Sequence, residues 1–179
     1  MMRPVLNREE YMALRDSEEN RMAEKRKMVQ MNYSCLPNED GTLKGTKRLS
    51  NTVGMDIDEP IDTNFVLGKK EELGLLMYEN SATKANCGHV VFRRRTELSQ
   101  EENLRWASEL LGVAYDKNAK DITRVFFTPA DKLVFLDDEI FNVEEVLQDV
   151  AENTGSNISY SSLPTPPSSL HTPLSSLNA

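Results

Sequence analysis

Thr52-Val53-Gly54-Met55-Asp56-Ile57-Asp58 is the stretch on which the fold turns. Val53, Met55 and Ile57 alternate with their neighbours in the two-residue period of a β-strand, and Glu59-Pro60 closes the run. Residues i and i+2 of a strand share a face, so Met55 and Ile57 turn toward a core while Asp56 and Asp58 project side by side. Working outward, Leu73 to Glu79 and His89 to Arg93 are two further strand candidates. Ser99-Gln100-Glu101-Glu102 is a capping box opening a helix with Leu104, Ala107, Leu110 and Leu111 on one face and Gly112 at its end. Thr123 to Thr128 and Leu133 to Leu136 read as a hairpin turned at Pro129-Ala130-Asp131, and Val143 to Glu152 as a last helix. Toward the amino terminus, residues 7 to 31 hold no Gly or Pro and begin with Asn7 as an N-cap, which predicts a charged helix on the outside of the domain. Leu36 to Gly41 is turn chemistry. This order predicts an α+β fold with a mainly antiparallel sheet and flanking helices.

The chain has 179 residues, 39% hydrophobic and 28% charged, which suits one core. From Thr154 to Ala179 there is no Asp, Glu, Lys or Arg, but there are eight Ser and four Pro. Such a segment cannot bury enough apolar surface to offset its ordering entropy, so a disordered Ser/Pro-rich tail, 154–179, is expected after an ordered domain, 1–153. No apolar run approaches the ~20 residues of a membrane span, and Arg3, Arg8, Glu9 and Glu10 leave no stretch for a signal peptidase to read. A cytoplasmic protein with no membrane partner is expected. Cys35 and Cys87 lack a second Cys or His at ligand spacing and read as free thiols. The net charge of -8 argues against wholesale coating of nucleic acid, although basic clusters stand at Lys25 to Lys27 and Arg93 to Arg95.

Three groups carry possible chemistry. Neighbouring carboxylates such as Asp56 and Asp58 repel unless a cation relieves them, and a hard ion such as Mg²⁺ prefers oxygen ligands; the plainer reading is a strand end with two solvated acids. Ser81-Ala82-Thr83-Lys84-Ala85-Asn86-Cys87-Gly88-His89 is a small, polar loop entering a strand. Its backbone N–H groups, a hydroxyl, Lys84 and the imidazole could converge on a triphosphate, with Gly88 allowing close approach, or it is a plain hairpin loop. Asp116 to Arg124 supplies a further acid and a guanidinium suited to bidentate phosphate binding, or is a charged turn.

Taken in order, a strand-borne Asp-x-Asp, a Ser/Lys/Gly/His loop entering a strand, and an acid and Arg before another strand resemble the three motifs of the archaeo-eukaryotic primase superfamily. The likeness extends from about Lys25 to Phe141. Gly54-Met55-Asp56-Ile57-Asp58, Gly88-His89-Val90-Val91-Phe92 and Lys120-Asp121-Ile122-Thr123-Arg124 are more closely similar to the VirE-amino-terminal-like primase-polymerase domains of bacterial mobile elements. The resemblance implies a nucleotidyltransferase using Mg²⁺ or Mn²⁺ in replication of a plasmid or integrative element. Asp56, Asp58 and a later acid would be catalytic and hold the metal, the later acid being Asp116 with Asp121 as the alternative. Ser81, Lys84, Gly88, His89 and Arg124 would bind the nucleoside triphosphate, with single-stranded DNA as template and a separate helicase or replication protein as companion. Related primases often carry serine two residues before the histidine, where this chain has Cys87, and Ser81 is the candidate to fill that role. The competing reading is a noncatalytic nucleic-acid- or partner-binding module on the same fold.

Overall fold

The computed structural model describes residues 4–147. In chain order these form α1 (Arg8–Arg15), α2 (Glu18–Met22), β1 (Gln30–Met31), β2 (Leu49–Ser50), β3 (Thr52–Ile57), α3 (Thr63–Gly68), α4 (Lys70–Leu73), β4 (Leu75–Asn80), β5 (Gly88–Arg93), α5 (Gln100–Leu111), β6 (Phe126–Phe127), β7 (Leu133–Leu136) and β8 (Glu145–Val146), with short 3-10 turns at Lys25–Lys27, Lys117–Lys120 and Asp138–Phe141. The fold is α+β. Its centre is an antiparallel sheet in the order β3-β5-β4-β7, and β1 pairs with β6 and β2 with β8.

The alternation along β3 divides the sheet into two faces. Val53, Met55 and Ile57, with Val90 and Phe92 of β5, pack against Leu104, Ala107 and Leu111 of α5. That helix starts as its residues dictate: Ser99 Oγ accepts from Glu102 N at 3.2 Å, Glu102 Oε2 accepts from Ser99 N at 2.8 Å, and Gly112 closes it in the left-handed region. On the opposite face, Met77 and Val91 pack with Tyr33, Phe126 and Ile140. A Cβ at Gly54 would come within 2.7 Å of the Phe126 ring, so only glycine lets that aromatic lie on the β3 backbone.

Several expectations need correction. The predicted helix 7–31 breaks after Arg15, because Ser17 caps a new short helix and the buried Asn20 binds Arg15 O, Thr128 O and Val29 N. Side-chain bonds to the backbone here outcompete helix continuation. α1 does lie on the outside, as expected, but it turns Tyr11 and Arg15 into the interior. The expected second strand begins at Leu75, since Leu73 ends α4 and Gly74 takes a left-handed conformation. The expected hairpin does not form, because β6 pairs with β1 and β7 with β4. In place of the expected helix from Val143, Glu145 and Val146 pair with β2, and Arg48 holds Glu145 at 2.9 Å. The remainder of that helix, the 153/154 boundary and the tail 154–179 lie outside the described residues.

Candidate metal and nucleotide centre

Strand register builds the site. Asp56 of β3 lies opposite His89 of β5, and His89 lies opposite Glu79 of β4, so the three form one row across the sheet. Asp58 follows two residues after Asp56, just beyond the strand. An isolated antiparallel bridge between Ile57 and Tyr115 brings the next residue, Asp116, alongside, where its side chain also accepts from Asn118 N and caps the 3-10 turn Lys117–Lys120. Asp56, Asp58 and Asp116 each offer a carboxylate oxygen within 4.8 Å of the others, close enough to share a metal ion, and they are the one such group of three among the described residues.

Cations rim the acids. Lys84 Nζ lies 2.6 Å from Asp58 Oδ1, and Arg124 Nη2 lies 3.2 Å from Asp116 Oδ2 and 4.0 Å from Asp56 Oδ2. Arg124 is anchored through its carbonyl, which with that of Ile122 accepts from Asn32 Nδ2. His89 Nε2 stands 3.6 Å from Asp56 Oδ1, and the His89 and Phe126 rings meet edge-to-face with centroids 5.2 Å apart. Burial pushes the Asp56 carboxyl above the ordinary carboxylate range; His89 and Arg124 pull it down, and the Asp58 and Asp116 charges add to the rise. An ionised Asp56 is thus held at a cost that a hard divalent ion would offset, and an all-carboxylate donor set suits such an ion.

The remaining predicted residues divide. Asp121 does not belong to the acid group: its carboxylate accepts from Thr123 N and Thr123 Oγ1 at 2.9 and 2.7 Å and closes a local turn, with its acidity strengthened by those bonds. Ser81 Oγ accepts from the Thr83 and Lys84 backbone N–H groups, so this hydroxyl shapes the loop that carries Lys84. Gly88 does permit a close approach, but of the sheet itself, since a Cβ there would fall 2.1 Å from Glu79 O. Cys87 is buried, as is Cys35, whose thiol burial pushes up to about 11.

Sequence reading missed the layer behind His89. Glu79 Oε1 lies 2.7 Å from His89 Nδ1, and Arg15 Nη1 lies 2.7 Å from Glu79 Oε2. Arg15 also donates to Tyr11 OH at 2.9 Å, and the Tyr11 and Tyr33 hydroxyls meet at 3.0 Å. Burial pushes both phenols above their ordinary range, so both remain protonated. The available signal was one acid, Glu79, ending an otherwise apolar run from Leu75 to Tyr78. Among the described residues no helix is long and apolar enough to cross a membrane. Comparison of the chain with protein-family models, curated proteins and solved structures gives no match.

Proposed function

We propose that this chain is a metal-dependent nucleotidyltransferase of the primase-polymerase kind, acting in the cytoplasm on a plasmid or integrative element. The observation that carries the reading is the convergence of Asp56, Asp58 and Asp116 within 4.8 Å, beside the imidazole of His89. The three carboxylates would hold Mg²⁺ or Mn²⁺, which when bound supplies charge neutralisation for a triphosphate and activation of an attacking hydroxyl. Lys84 and Arg124 are placed to exchange their carboxylate partners for phosphate oxygens, Arg124 with a planar fork and Lys84 as a point charge. His89, from the inner strand β5, presents Nε2 to the same spot. Its companions by chemistry would be a nucleoside triphosphate, a single-stranded DNA template and a separate replication protein.

A second reading, a noncatalytic binding module, is favoured by one observation: Lys84 and Arg124 already balance Asp58 and Asp116 without any ion. Primer synthesis separates the two. Purified full chain given Mg²⁺ or Mn²⁺, single-stranded template and labelled nucleotides is expected to make oligomers, and Asp56→Ala to abolish them. Absence of metal-dependent nucleotide binding in calorimetry would leave the binding module as the better account.

A further inference from the structure

Inward from the acid centre runs a charge array that the proposed chemistry does not by itself require. The side chains of Arg15 and Glu79 are both 0% exposed. Taking a carboxylate and a guanidinium out of water costs about as much as their mutual attraction returns, and apolar residues of similar volume commonly serve a core as well. Stability alone is therefore a weak account of the pair. Its third member supplies a better one. Glu79 presents one oxygen to Arg15 and the other to His89 Nδ1, each at 2.7 Å. An ionised carboxylate only accepts hydrogen bonds, so the nitrogen facing it must carry a proton.

We infer that Glu79, held in place by the Arg15 guanidinium of α1, is the positioning residue of His89: it accepts the hydrogen bond from Nδ1–H and leaves Nε2 as the ring nitrogen facing the three acids. A carboxylate that orients an imidazole in this way selects both the tautomer and the ring rotation. Phe126 sets the ring from a third side, its edge-to-face contact limiting rotation about the side chain. The amino-terminal helix thereby becomes part of the centre, although none of its residues touches the three acids. The consequence for catalysis rests on the nucleotidyltransferase reading; the tautomer does not.

The test is long-range proton–nitrogen correlation NMR of the imidazole in ¹⁵N-labelled full chain carrying His171→Gln, so that only His89 reports. Without metal or nucleotide, a proton on Nδ1, hydrogen-bonded to Glu79, is expected. An Nδ1 without a proton in the ligand-free chain overturns the inference. In the double variant Arg15→Met/Glu79→Leu, which removes both charges together, the Nδ1–H preference should be lost, whereas Arg15→Lys, which keeps a cation beside Glu79, should retain it. Loss in both variants or in neither also overturns it. Addition of Mg²⁺ and a nucleoside triphosphate then separates this inference from the functional reading: an Nδ1 proton in place with an Nε2 signal that neither ligand moves leaves the positioning standing and the nucleotidyltransferase reading without support.

Discussion

The two faces of the central sheet are cut from alternate residues of the same strands, yet they are held by different physics. Toward α5, Val53, Met55, Ile57, Val90 and Phe92 form a continuous apolar layer whose stability comes from burial and close packing. On the other face, one end is equally apolar around Met77, Val91 and Phe126, but the other end carries Asp56, His89 and Glu79 in a row, backed by Arg15. The first face pays nothing for charge. The second keeps ionised groups at low exposure, and every one of them has a counter-charge or stands beside the acid centre. The difference teaches where to look for function: the strand alternation that builds a core on one side leaves the other free for groups that cost stability.

The largest effects should come from opposite faces and differ in how they can be repaired. Phe92→Ala, at a fully buried ring that meets Trp106 edge-on, should destabilise by about 3–5 kcal/mol. Glu79→Ala should cost a similar amount, about 3–5 kcal/mol, because it strands the Arg15 charge. Adding Arg15→Met should recover much of the second loss and none of the first, which urea denaturation of the single and double variants can read. Strictly additive losses for Arg15 and Glu79 would show that the pair is not coupled. A smaller effect is expected on the α5 side, where Ser99→Ala removes one half of the capping box and should lower stability by about 1 kcal/mol in the same assay. Cation binding should be unchanged in that variant; a change would mean that the two faces are not separable.

The contrast between the faces also marks what could be read from sequence. The alternation in β3, the strand at His89 to Arg93 and the capping box of α5 are local patterns, and each appears in the structure with boundaries within a residue of those expected. Asp56 and Asp58 were legible for a related reason, two residues apart at the end of that alternation, although β3 itself stops at Ile57. Asp116 against Asp121 was open, because the deciding contact is the bridge from Tyr115 back to Ile57, far away in sequence. Long-range pairing also undid the expected hairpin, since the partner of β6 is β1. The amino-terminal helix was misread because propensity summed over residues 7 to 31 cannot register that Asn20 has better backbone partners elsewhere in the fold. Glu79 and Arg15 left almost no local trace: a buried ion pair is a fact about two distant positions, and a window around either shows one charged residue among many.

The central claim, that Asp56 is kept for binding and not for holding the sheet together, has a direct thermodynamic signature. A carboxyl whose pKa is raised on folding stabilises the native state while protonated, and that contribution disappears as pH rises through its folded-state titration. At neutral pH the ionised Asp56, half-shielded beside Asp58 and Asp116, therefore costs stability that an amide would not. The measurement is thermal unfolding of the full chain and of Asp56→Asn at neutral pH, each with and without Mn²⁺. The account predicts a Tm a few degrees higher for the variant without the ion, a gap that closes in acid, and a rise in Tm on adding Mn²⁺ for the natural chain alone. A variant that melts below the natural chain, with no response to Mn²⁺ in either, would contradict it and make Asp56 a structural partner of His89 and Arg124.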